Sequence, residues 1–316
     1  MVRSTPHVQY PKSVAITWKT SFERLGESAR RLLQRLAWLA PGPIPESLLE
    51  VAVPDAAETD PFGALAELES YSLVTRAVDT PTFSVHRLVQ EITRRSQRDD
   101  PAHTPLVEAL RWLDAAFIGE AQDVRTWPVL IPLAPHVRAV AAHADAAGLA
   151  DPTARLLNAL AVLYHSQGQY AQAEPLCQRA LAIWEKTLGS DHPDVATSLN
   201  NLAALYRTQG QYAQTEPLSQ RALAIWEKTL GPDHPDVALS LNNLAELHRT
   251  QGRYAQAELL YRRALAIWER ALGPEHPNVA TCLENMAVLY RESGREEEEE
   301  AAALKKRAAA IRVLKR

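Results

Sequence analysis

The sequence predicts a mainly α chain whose second half is an α-solenoid of 42-residue units. Three series carry this. Ser-Leu-Asn-Asn-Leu-Ala runs from Ser198 to Ala203 and returns unchanged from Ser240 to Ala245. His-Pro stands at His192-Pro193, His234-Pro235 and His276-Pro277, and Ala-Ile-Trp ends at Trp184, Trp226 and Trp268. Glycine recurs at Gly168, Gly210, Gly252 and Gly294. All step by 42 residues, and self-similarity at a fixed period of this size marks stacked copies of one supersecondary unit.

Each copy reads as helix, tight turn, helix. Pro193 suits a first helical position, where its missing N–H costs nothing, and Asp194 complements the positive helix end. Val195, Leu199, Leu202, Leu205 and Tyr206 then recur at three- and four-residue steps, one buried helical face. Gly210 ends that helix by taking the left-handed conformation of a C-terminal cap. A second helix follows from about Tyr212 to Thr229, with Leu218, Ala222, Ile225 and Trp226 on its apolar side. The units begin near 151, 193, 235 and 277. The run Glu296 to Glu300, followed by Lys305, Lys306 and Arg307, predicts one last helix with charges matched to its dipole, the solvated cap that a solenoid needs.

The first 100 residues read differently. Helices are expected over 14–24, 27–39 and near 61–70. Pro41 to Glu46 is a punctuated loop delivering Pro45 to the next helix start. Leu73 to Val78 and Thr82 to His86 alternate around Asp79-Thr80-Pro81 as a hairpin would. With a final helix from His86, this is a winged-helix domain over 1–100; residues 101–150 form a helical linker, and the repeats occupy 151–316.

The motifs carry a family resemblance. Leu199-x-x-Leu202-Ala203-x-x-Tyr206 followed by Gly210-Gln211-Tyr212 resembles the tetratricopeptide repeat. Ala173 and Ala257 fill the small-residue place of its second helix, from which Thr215 departs. The 42-residue length and the Ala-Ile-Trp-Glu-Lys-Thr-Leu-Gly segment resemble the repeats of kinesin light chains. Residues 13–95 and Thr126 to Ala144 resemble the winged helix and linker of bacterial STAND proteins, signalling NTPases with an NB-ARC core. That resemblance implies a histidine contacting the β-phosphate of ADP, and His86 stands at its place, although the aspartate of the family's Met-His-Asp motif is here Arg87. His86 is therefore a cofactor-binding candidate only if a nucleotide-binding domain is supplied; its plainer reading is a cap where a strand enters a helix. None of the twelve glycines is followed by lysine, so the sequence has no P-loop. The expectation is a non-catalytic chain, either part of a larger sensor or a free-standing relative, with no cofactor of its own.

Charge and cysteine content bound the rest. The net charge of −4 divides as −1 over residues 1–100 and −3 over the remainder, which argues against nucleic acid as the main partner. Four arginines between His86 and Arg98 are answered at once by Asp99 and Asp100. Cys177 and Cys282 lack metal-ligand spacing and read as core residues in a reducing, cytoplasmic setting. The repeated histidines belong to helix-start loops, so no metal site is expected. No apolar run approaches a membrane span, and no signal segment is visible.

In a tetratricopeptide array the first helix of each unit lines the concave surface. With Leu202 and Tyr206 buried, a 100° step turns Asn200 and Arg207 to that side and puts Asn201 at its margin. The equivalent concave places hold Asn158 and His165, Asn242 and Arg249, and Glu284 and Arg291; the margins hold Asn243 and Asn285. Asparagine offers one acceptor and two donors, the set that pairs with an extended backbone whatever its side chains, and arginine can grip a carboxylate. The peptide-binding candidates are thus Asn158, Asn200, Asn201, Asn242, Asn243, Asn285, Arg207, Arg249 and Arg291, the partner an extended or acidic protein segment. The competing reading has the margin asparagines bonding between adjacent units. A stand-alone adaptor and a winged-helix transcription regulator are the alternative functions.

Overall fold

The computed structural model describes residues 20–52, 60–294 and 298–313. Residues 14–19 of the first expected helix lie outside these; residues 20–24 are helical. The chain divides into two compact units, Met1–Ser166 and Gln167–Arg316.

The first unit opens with helix α1 (Glu27–Leu36), which buries Leu32, Leu33 and Leu36. It stops short of the expected residue 39, and the chain continues in a tighter turn, with Trp38 N bonding Arg35 O and Leu39 N bonding Leu36 O. Its last carbonyls find side-chain partners as well: Gln90 Nε2 donates to Leu36 O at 3.0 Å and Leu39 O at 3.1 Å, and Arg94 donates to Ala37 O. The expected loop at Ile44–Pro45 is a strand, β1, leading into a 3₁₀ turn over Glu46–Glu50. Helix α2 (Pro61–Ser70) is capped by Asp60, whose side chain accepts from Gly63 N at 2.8 Å.

Strands β2 (Val74–Arg76) and β3 (Thr82–Val85) form the predicted hairpin, with Thr75 opposite Ser84. The sheet has three strands in the order β1-β3-β2, since Ile44 pairs with Phe83. Helix α3 (Arg87–Ser96) follows, then α4 (Thr104–Ala116), α5 (Trp127–Ala146) and α6 (Thr153–Ser166). Trp112 of α4 is fully buried, and its indole N–H donates to Leu48 O and Val51 O. His136 of α5 meets Pro43 O at 2.9 Å. Burial first, against hydrogen bonds to backbone carbonyls, holds the His136 imidazole below its ordinary range.

The second unit alternates long and short helices: α7 (Tyr170–Leu188), α8 (Pro193–Thr208), α9 (Tyr212–Leu230), α10 (Pro235–Thr250), α11 (Tyr254–Leu272), α12 (Pro277–Glu292) and α13 (Glu298–Val313). On α8 the predicted face, Val195, Leu199, Leu202, Leu205 and Tyr206, is buried. On α9 the buried face runs through Thr215, Ser219, Ala222, Ile225 and Trp226, while Leu218 lies at its margin. Gly210 adopts φ +73°, letting Gln211 N reach back to Tyr206 O at 2.8 Å. Helix α13 lies against α12 and buries Ala301, Ala308 and Ile311. Arg312 of α13 pairs with Glu284 of α12 at 3.0 Å.

Candidate functional site

Helices α8, α10 and α12 begin alike. His192, His234 and His276 are the N-cap residues themselves: each Nδ1 accepts from the backbone N–H two residues on, at 3.2 Å. Histidine before proline thus does what serine or aspartate commonly does at this place. His86 makes the same 3.2 Å bond to Leu88 N at the start of α3. That is the plainer of its two roles.

From these starts the helices bring the asparagines into register. Asn243 Nδ2 donates to Asn200 Oδ1 at 3.0 Å, and Asn285 Nδ2 donates to Asn242 Oδ1 at 3.2 Å. Asn200 and Asn242 are only 6% and 7% exposed, because the next helix of the array covers them. They are not the freely exposed amides that the 100° step suggests. Each nevertheless keeps its Nδ2 without a hydrogen-bond partner among the described residues, and neither nitrogen is sealed from solvent. Asn201, Asn243 and Asn285 are half-buried. Asn158 is buried on α6, in the other compact unit.

The arginines differ from one another. Arg249 is 14% exposed and held on both sides: its Nε and one terminal nitrogen bond Glu246 at 3.0 and 2.7 Å, and the other bonds Glu292. Arg207 meets Glu246 Oε1 only at 3.6 Å. Arg291 is exposed, with Nε donating to Ala287 O at 3.3 Å and no carboxylate partner among the described residues. Tyr261 donates its hydroxyl to Glu246 at 2.7 Å. Burial alone would raise the Glu246 carboxyl, but hydrogen bonds from Arg249 and Tyr261, with the charges of Arg249 and Arg207, outweigh it and hold the group below the usual glutamate range.

Sequence reasoning missed Glu246, Glu292 and Tyr261. The signal was a break in periodicity, since Ala204 and Val288 hold the place of Glu246, and Cys177 and Ser219 that of Tyr261. A second break lies beside it. Tyr206 and Tyr290 donate to Glu174 and Glu258 of the preceding long helices, whereas His248 takes the equivalent place on α10. There Glu216 is bonded instead by both terminal nitrogens of Arg253, at 3.1 and 2.8 Å. Among the described residues no cluster of histidine, cysteine and carboxylate side chains could hold a metal ion, and no helix is long and apolar enough to cross a membrane.

Antiparallel helix pairs repeating every 42 residues define a helical-repeat protein. Residues 152–214, 199–270 and 253–312 match the tetratricopeptide repeat model, together just over half of the sequence, and the chain belongs to that family. Residues 20–101 match a domain of unknown function, DUF7779. A nucleotide-binding leucine-rich repeat (NLR)-like protein of Hyaloscypha variabilis is 31% identical over 187 residues, 58% of this chain. The chain spans only 18% of that relative's length. The crystal structure of BtubC (BKLC) from P. vanneervenii has a TM-score of 0.53 at 22% identity, covering 70% of this chain and 85% of that one. A Podosopora anserina protein described as a kinesin light chain with nearly identical TPR-like repeats gives 0.46 at 26%, covering 70% and 95%.

Proposed function

We propose that the chain is a non-catalytic recognition module, in which the concave face of α8, α10 and α12 holds an extended partner segment through its asparagine ladder. The observation that carries this is the division of labour within each pair. Asn200 and Asn242 give their Oδ1 to the stack and keep an Nδ2 donor that solvent can reach; Asn243 and Asn285 use one N–H on the stack and keep an acceptor. Alternating donors and acceptors match the backbone of an extended polypeptide. The tetratricopeptide family, whose repeats imply protein partners, agrees.

The NLR-like relative supports placing this module at the sensing and regulatory end of a STAND-type signalling protein, in the cytoplasm, with a nucleotide-binding domain as an intramolecular or separate partner. A short strand joining the hairpin between helices supports the winged-helix reading of the first 100 residues. Glu67 and Glu69, without a lysine or arginine, are the charges of the helix before the hairpin, which weighs against a DNA reader. The adaptor reading without nucleotide control stays as the alternative, and ADP binding that requires His86 when an NB-ARC domain is added in trans separates the two.

Asn200→Asp and Asn242→Asp test the groove. Aspartate still accepts the bond from the next asparagine but has no N–H to offer a ligand. A partner captured by the full chain is expected to bind these variants more weakly than wild type, with folding retained by circular dichroism. Unchanged affinity in both would remove the groove as its binding surface.

A further inference from the structure

Resting on that groove reading, we infer that the groove selects an extended segment whose acidic side chains flank an uncharged centre, and that Glu246 is the residue imposing this pattern.

The three arginines in equivalent positions are chemically unequal. Arg249, at the centre, is saturated by the carboxylates of Glu246 and Glu292. A ligand carboxylate there would have to displace carboxylates that belong to the same fold, one of them the largely buried Glu246, against the charge of Glu246 itself. Like charge meeting like charge across an interface is strongly unfavourable. On either side the situation reverses. Among the described residues Arg207 has a single ion pair, at the long distance of 3.6 Å, and Arg291 has only a backbone carbonyl. Their guanidinium forks can still take a carboxylate in bidentate fashion.

The next concave charge, Glu284, is answered by Arg312 of α13. The groove therefore presents two available cations with a self-neutralised patch between them, not a continuous basic stripe. This differs from the uniformly acidic ligand that a row of three arginines suggests. Glu246, which bonds two of the three guanidinium nitrogens, makes most of the distinction: Ala204 and Val288 stand in its place in the neighbouring repeats, and Thr250 stands to Arg207 as Glu292 stands to Arg249.

The probe is a random peptide library selected on the immobilised full chain, with Asn200→Asp/Asn242→Asp as the control surface. Wild type is expected to enrich peptides with acidic residues separated by an uncharged stretch. Placing aspartate in the centre of a selected peptide should weaken its binding about tenfold. That penalty should vanish with Glu246→Ala, the residue of the preceding repeat, and with Glu246→Gln, which keeps the size of the side chain. Contiguous acidic runs selected by wild type, or an equal penalty in folded Glu246 variants, would overturn the inference while leaving the groove in place. Peptides that bind the asparagine variants as well as wild type, or no enrichment at all, would overturn both.

Discussion

Asn243 donates its side-chain amide to Asn200 Oδ1, at 3.0 Å and 43 residues earlier in the chain. The bond runs in one direction, from the half-buried residue of one repeat to the buried residue of the repeat before it. Asn285 and Asn242 repeat it at 3.2 Å.

The direction makes the two partners unequal in mutation. Asn243→Asp removes the donor and sets an anionic oxygen against Asn200 Oδ1, leaving a buried acceptor unpaired; a loss of about 1–3 kcal/mol is expected. Asn200→Asp keeps the acceptor and strengthens it by charge, which offsets part of the burial cost. Urea unfolding should therefore rank Asn243→Asp below Asn200→Asp. The opposite order would mean that the donor and acceptor are exchanged.

Three helices of the repeats use a histidine as N-cap, as α3 does with His86, which gives a prediction about residue type. His192→Ala and His234→Ala should each cost about 0.5–2 kcal/mol, the range for losing an N-cap acceptor, and asparagine at either place should restore most of it. Thermal melts of five proteins, wild type and the alanine and asparagine variants at each site, decide this. Asparagine no better than alanine would assign the histidines a packing role.

Cys177 and Cys282 are buried in the second unit, and burial pushes both thiols up to about 12. Native protein at neutral pH should leave a thiol reagent almost unreacted, and denaturant should release both groups. The unfolded thiols ionise first as pH rises past their usual value near 9.0, so stability should decline through alkaline pH. A Cys177→Ala/Cys282→Ala variant should show a shallower decline.

The repeats were legible because their punctuation is local. His-Pro, glycine with φ above +65° and the three- and four-residue apolar steps each act within one helix or turn, so the period alone places α7 to α12. Strand β1 was not, since Ile44 becomes a strand only through its partner Phe83, 39 residues away in the pairing register. The site divides the same way. The asparagine positions follow from helical geometry, but their burial depends on the helix of the following repeat. Arg249 loses its availability to Glu246 and Glu292, one three residues back on its own helix and the other on α12.

The Glu246 cluster ties stability to pH with a definite sign. Its carboxyl is held below the usual glutamate value of 4.5 in the folded protein, so the unfolded state takes up a proton first as pH falls. The stabilisation is then complete above 4.5 and is lost as pH drops through the lower folded value. Glu246→Gln removes the charge while keeping a side chain of nearly the same size, and leaves Arg249, 14% exposed, with Glu292 alone. Losing charge-assisted bonds should cost about 1.5–3 kcal/mol at neutral pH. Tyr261→Phe should cost less, since it removes one hydroxyl bond of 2.7 Å and leaves the arginine contacts. Urea midpoints for wild type and Glu246→Gln between neutral and acid pH give the comparison directly: the gap should be widest near neutrality and close on acidification. A gap independent of pH would mean that glutamate at 246 acts by shape and not by charge.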